Sequence, residues 1–342
     1  MYLLIILILA IISYLLSNFC KKNKYMTSLS GDKHQEFTNN QSVPLIGGFF
    51  ILIGFFFIFY DQNIHFLIVL TTIFFLGLFS DLKIVISPNI RILIQFIIVL
   101  YLIYFLKMEI GLTRISIVDN FLDNKLINIL FVCFCLMVLI NGTNFIDGLN
   151  GLSLGYYLLI FLALISNELN FSNFLQNKEL VYISCFLFVF LILNFCNLFF
   201  IGDNGAYVLS LATGFLLINI YKENPYISPY FIILLLWYPC FELLFSMIRK
   251  FDSKYSPISP DSYHLHQLMF YLINDRFSLS QLKSNNISAF VILFFNSISI
   301  YCGSLKNSNT GILILLIIFN ILIYSITYNL LLKYRNSNKT VF

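Results

Sequence analysis

The chain has 342 residues, 59% of them hydrophobic and only 11% charged, with a formal net charge of +4 and a mean hydropathy of +0.88. Soluble domains carry about 25% charged residues, so the composition excludes an ordinary water-soluble domain and makes lipid the main solvent. The seven cysteines lie mostly inside apolar runs, where a thiol acts as a small hydrophobe, and none forms a CxxC pair. A membrane-crossing helix takes roughly 20 apolar residues. In chain order that length predicts eleven spans, at about 1–19, 44–60, 64–80, 90–106, 126–142, 151–166, 178–197, 205–221, 229–248, 286–304 and 311–333. The fold class is therefore an all-α polytopic membrane protein, a single integral-membrane domain over 1–342.

Lys and Arg accumulate in cytoplasmic loops. Lys21, Lys22 and Lys24 follow the first span, which places the N-terminus outside and, after eleven crossings, the C-terminus in the cytoplasm. With that alternation fourteen of the 20 basic residues fall inside and six outside. The segments 20–43, 81–89, 143–150, 198–204 and 249–285 then share the cytoplasmic side, the last being a long loop. A transporter more often carries its polar groups near the bilayer midplane on broken helices. Here they gather at one rim, which favours chemistry at the membrane surface.

Four stretches furnish that rim. In "NGTNFIDGLNG" (141–151), Asn141, Asn144 and Asp147 recur every third residue, so at 3.6 residues per turn they form one polar stripe. Gly148 and Gly151 permit a turn or the close approach of a ligand. In "NFCNLFFIGDNGAYVLS" (194–210), Asp203 lies against hydrocarbon, where a carboxylate is costly and usually functional; the plain alternative is an N-cap for the next span. Asn194 precedes it by nine residues. In "GLFSDLKIVISPNIRILIQ" (77–95), Asp81 ends a span, Ser87-Pro88 starts the next, and Arg91 either pairs with a phosphate or anchors the span at the interface. In "SPISPDSYHLHQLMFYL" (256–272), His264 and His266 face apart if helical and share a face if extended. No third ligand stands at a zinc spacing, so phosphate or sugar oxygens suit them better. Mg²⁺ is held by one or two carboxylates plus phosphates and water. Asp81, Asp147 and Asp203 at a lipid surface thus suggest phosphoryl transfer to or from a lipid phosphate. The reading without a metal is a proton relay in a transporter.

"NGTNFIDGLNGLSLG", "GDNGAY" and "PDSYHLHQL", with "VPLIGG" (43–48) and "SPNIRILIQ" (87–95), resemble the signature stretches of the polyprenyl-phosphate N-acetylhexosamine-1-phosphate transferases, glycosyltransferase family 4. That family includes phospho-MurNAc-pentapeptide translocase and undecaprenyl-phosphate GlcNAc-1-phosphate transferases. The likeness runs from about residue 32 to 270 in the family's motif order. It implies ten or eleven membrane helices around a cytoplasmic cleft in a bacterial inner membrane. It implies transfer of a sugar-1-phosphate from a UDP-N-acetylhexosamine to undecaprenyl phosphate with release of UMP, as an early step of a surface-glycan pathway. Mg²⁺, or Mn²⁺ in its place, is the implied cofactor. Asp203 would hold the ion, with Asp147 beside it as second ligand, and Asn144 and Asp147 would line the nucleotide and metal pocket. Asp81 would be the second of an aspartate pair, and His264 and His266 would belong to an arm contacting sugar and phosphate. The remaining substrate-binding candidates are Asn141, Asn194 and Arg91. A homodimer is compatible with this reading; a nucleic-acid partner is not expected.

The sequence also departs from the family pattern. Ser80 stands where the first aspartate of the pair is expected, Ser262 replaces an arginine before the histidines, and Gln267 replaces a further histidine. Glu242 stands where an aspartate follows "WYP", and "DKHQEFTNN" (32–40) lacks the usual basic residues. A polyprenyl phosphate, with a second pKa of about 6, is already largely dianionic near pH 7, so a missing base at position 80 need not abolish attack. These changes bear on the donor sugar more than on the reaction. They leave open a specialised or catalytically impaired family member; the separate alternative is a transporter using the same acids as a proton relay.

Overall fold

The computed structural model describes residues 2–27, 43–60, 63–84, 87–167, 177–252 and 262–339. Every one of the eleven predicted spans is a helix. They are α1 (Tyr2–Asn23), α2 (Gly47–Phe59), α3 (Ile64–Asp81), α4 (Pro88–Leu106), α6 (Lys125–Ile146), α7 (Leu152–Ser166), α8 (Asn177–Phe195), α9 (Gly202–Glu223), α10 (Pro229–Asp252), α12 (Gln281–Ser304) and α13 (Thr310–Lys339). Two short helices lie in the connections: α5 (Ser116–Leu122) and α11 (Leu265–Phe277). Among the described residues the β structure is confined to an isolated bridge between Thr27 and Pro44. This is the outcome lipid demands, because a helix satisfies every backbone N–H and C=O within its own segment.

Nine of the described helices are long and apolar enough to cross a membrane. The exceptions among the predicted spans, α2 and α7, have 13 and 15 residues, short of the roughly 20 that a crossing takes. Each is preceded by a non-helical stretch, the apolar "VPLI" before α2 and "DGLNG" before α7, and α7 is buried along most of its length.

At the centre is α9, which packs against α2, α3 and α6 and is the most enclosed of the long helices. Outward-facing leucines, isoleucines and phenylalanines on α1 and α13 supply the lipid surface. With no water to expel, membrane helices gain from close backbone approach at small residues. Gly142 of α6 lies against the carbonyl of Pro239 in α10. Pro239 has no N–H for the carbonyl four residues back, and that carbonyl, Leu235 O, accepts instead from the Tyr156 hydroxyl at 2.9 Å.

Polar contacts sort the connections into two rims. At one, Arg114 donates to the carbonyls of Tyr226, Ile227 and Ser308 and to Thr310 Oγ1, while Asn307 bonds Asn167. At the other meet the ends of α1, α3, α6, α8 and α13 and the starts of α2, α4, α9, α11 and α12. Lys21 bonds the Asn197 carbonyl, Asn150 bonds Asn285 and Asn197, and Arg335 bonds Ser262. The described parts of the segments that the alternation of charge put on one side converge.

Candidate active site

The first turn of α9 builds the site. A helix start leaves N–H groups without intrahelical partners, and the N-cap residue Ile201 has no side chain to serve them. Asp81, from the last turn of α3, serves instead. Its Oδ1 accepts from the Asp203 N–H at 3.0 Å, and its Oδ2 accepts from the Asn204 N–H at 3.1 Å and from Asn204 Nδ2 at 2.6 Å. A carboxylate there also suits the positive end of the helix dipole. The approach requires glycine. Gly202 has φ +73°, and a Cβ on it would lie 2.7 Å from Asp81 Oδ2; one on Gly77 would overlap the Asn204 backbone. The "VPLIGG" stretch braces the same turn from the other side. Phe200 N–H donates to Pro44 O at 2.9 Å, Gly47 N–H to Phe200 O at 3.0 Å and Gly48 N–H to Ile201 O at 3.2 Å.

So held, Asp203 is the second residue of α9 and not its cap; the capping carboxylate comes from α3. Asp203 Oδ2 accepts from the Ser80 hydroxyl at 2.6 Å and from Arg91 Nη1 at 3.1 Å, with the Tyr207 hydroxyl at 3.5 Å. Arg91 Nη1 also donates to Ser80 Oγ at 2.7 Å. Arg91 lies one turn into α4, whose start is set by Ser87 accepting from the Ile90 N–H and by Pro88 at the first position. All of the Asp203 bonds fall on Oδ2; Oδ1 takes none of them.

Asp147 ends α6 and joins this group. Burial pushes its carboxyl up from the usual range, the charges of Asp203 and Asp81 push it further, and the Gly202 N–H opposes them. Three carboxylates from three helices thus act on one another, and Arg91 is bonded to one of them, Asp203. Among the described residues no three His, Cys, Asp or Glu side chains form a ready metal cage. Mg²⁺ does not need one, since it takes one or two carboxylates and fills its shell with water and phosphate. The carboxylate excess and the unused Oδ1 of Asp203 suit that donor set.

The histidine arm closes against the same motif. His264 sits in extended backbone (φ −74°, ψ 150°) just before α11, and His266 is in its first turn. At that junction the two rings stack, 5.6 Å apart and 12° from parallel. A Cβ on Gly148 would overlap His266 Nε2, so the ring lies on the backbone beside Asp147. Phe145 meets the His264 ring edge-on at 4.9 Å and carries Lys250 over its face at 5.8 Å.

The other predicted residues divide. Asn144 is half-buried on the turn before Asp147. Asn141 donates to Gln95 Oε1 of α4 at 3.0 Å, which ties α6 to the helix carrying Arg91. Asn194 spends both amide atoms on backbone, accepting from the Gly151 N–H and donating to Phe199 O, so it pins the turn after Asp147 to the segment before Asp203. The stretch 32–40 and residues Pro260 and Asp261 lie outside the described residues. Sequence reasoning missed the use made of Ser80, the capping partner Asn204, and Glu242, which bonds His264. No local signal could have found the Ser80–Asp203 and Asn204–Asp81 bonds, because each joins residues 123 positions apart.

Comparison with known proteins bears on the same residues. Residues 63–221, which include Asp81, Arg91, Asp147 and Asp203, match the model for glycosyl transferase family 4. A probable undecaprenyl-phosphate N-acetylglucosaminyl 1-phosphate transferase of Bacillus subtilis (strain 168) is 29% identical over 188 residues, covering 50% of this chain and 52% of that protein. The chain therefore spans about half the length of the curated relative it matches. With its aspartates gathered at one rim of a membrane-helix bundle, the chain is similar, over residues 63–221, to glycosyl transferase family 4.

Proposed function

We propose that this multi-pass membrane protein transfers a sugar-1-phosphate, as N-acetylhexosamine-1-phosphate, from a UDP-sugar to undecaprenyl phosphate at the cytoplasmic face of a bacterial inner membrane. The observation that carries this reading is the meeting of Asp81, Asp147 and Asp203, with Arg91, where three helices reach one rim. In the reaction an oxygen of the lipid phosphate attacks the β-phosphorus of the donor in line. The bond from that phosphorus to the oxygen bridging the α-phosphate breaks, and UMP leaves with the bridging oxygen and its electron pair. The product is the lipid-linked sugar diphosphate.

Such transfers are mostly positioning and charge neutralisation. Asp203 and Asp147 would hold Mg²⁺, which when bound supplies positive charge to the diphosphate. Arg91 is within reach of Asp203 and so of phosphate oxygens placed there, and Ser80 orients its guanidinium. Asp81 aims Asp203 by fixing the first turn of α9. Asn144 and Asp147 face the nucleotide side, and His264 and His266 cover it. No base is required, because the lipid phosphate arrives largely dianionic, which makes serine tolerable at position 80.

The test offers a panel of UDP-N-acetylhexosamines to purified protein with undecaprenyl phosphate and Mg²⁺, and measures UMP and lipid diphosphate product. Equal amounts of both, abolished by EDTA and by Asp203→Asn, are expected. Proton-coupled transport in vesicles with no UMP formed from any donor would overturn the reading in favour of a transporter.

A further inference from the structure

Glu242 is a carboxylate in the apolar helix α10, 1% exposed and ten residues before the helix ends. A buried charge in a membrane bundle is expensive unless partnered and is usually retained for a purpose. Its partners come from two other elements. Oε1 accepts from His264 Nδ1 at 2.9 Å and from the Leu265 N–H at 3.3 Å, and Oε2 accepts from the Tyr324 hydroxyl of α13 at 2.8 Å. One carboxylate thus caps α11, grips the first histidine of the arm and ties both to α13. From His264 the connection continues by ring stacking to His266, and from His266 by direct contact to Gly148, next to Asp147. None of these arm residues falls within 63–221, where the family match lies.

We propose that Glu242 is a positioning residue for the UDP-sugar: by accepting from Nδ1–H it sets the tautomer of His264 and holds the His264–His266 pair over the Asp147 turn. An acceptor on one ring nitrogen dictates which nitrogen carries the proton, so Nε2 of His264 is left as an acceptor aimed to take a hydrogen bond from a sugar hydroxyl of the UDP-sugar. The lipid phosphate, approaching from the bilayer toward Arg91 and Asp203, does not depend on this contact. The inference rests on the transferase reading above.

The experiment compares wild type with Glu242→Gln, Glu242→Asp and Tyr324→Phe in nanodiscs. It reads kcat, the KM for each substrate, thermal midpoint, and ¹⁵N NMR of histidine-labelled protein, with His264 assigned by a His264→Asn variant. Glu242→Gln is expected to lose about 10–100-fold in kcat/KM for the UDP-sugar, the range typical when a carboxylate that orients a ligating histidine is removed. The KM for undecaprenyl phosphate should stay within about two-fold, and the Nδ1–H signature of His264 should give way to mixed tautomers. Glu242→Asp should restore part of both, and Tyr324→Phe should cost least. An unchanged tautomer, or equal loss for both substrates alongside a fallen thermal midpoint, would overturn the proposal and leave Glu242 a structural strut. If wild type turned over no donor, the transferase reading would fail, while the NMR comparison would still decide whether Glu242 controls His264.

Discussion

The two ends of α9 are each met by an arginine from another part of the chain, in opposite circumstances. Past its C-terminus Arg114 spends its guanidinium on the carbonyls of Tyr226, Ile227 and Ser308 and on Thr310 Oγ1, so a cation there is consumed in closing loops. At its N-terminus, about 33 Å away at 1.5 Å per residue, Arg91 faces carboxylates and is outnumbered by them. One rim is electrostatically finished by the protein itself. At the other, the cluster around Asp203 holds more carboxylates than cations, an imbalance that a cation and an anionic substrate together would complete. Loop closure and the carboxylate cluster are thus separated by the length of a single helix.

The comparison predicts unequal responses. Asp203→Asn should give the largest effect, a loss of about 10³-fold or more in UMP release with the thermal midpoint held, since Asp81 still caps α9; near-normal activity would break the contrast between the rims. Arg91→Gln should cost about 10–100-fold in kcat/KM. Arg114→Gln should instead lower stability by about 0.5–1.5 kcal/mol through lost hydrogen bonds between loops and leave kcat/KM of the folded enzyme unchanged; a reversed pattern in paired thermal and kinetic assays would invert the assignment. Gly148→Ala forces a methyl into His266 and should slow turnover about 10-fold by displacing the arm, a change to be read in KM for the UDP-sugar. Lys222→Ala is the mildest. Its pair with Glu109 is more than half exposed on both sides, so denaturation should shift by no more than about 0.5 kcal/mol.

Much of the fold was legible because lipid leaves few choices. Apolar length marked all eleven long segments as helices, and charge alternation grouped the ends that the structure brings together. The shortness of α2 was not legible, since hydropathy counts apolar residues without reporting that "VPLI" lies outside the helix; α7 was already short in the predicted span 151–166. α11 was hidden within a polar loop. Of the site, Asp147 and Asp203 stood out as acids at the end of oily runs, and the structure sets them within electrostatic reach of each other. Asp81 stood out equally, yet its carboxylate is engaged as a cap for another helix. Ser80 read as a loss and instead bridges Arg91 to Asp203.

What the sequence determined by itself is the solvent of each segment and the rim to which each polar group goes, because hydrophobic length and loop charge are local properties. What only the tertiary structure decided is which acid serves which partner. Asp81 caps, Asp203 faces Arg91, and Glu242 holds His264, because helices distant in sequence cross closely at glycines, and a carboxylate takes its role from the donors packed against it.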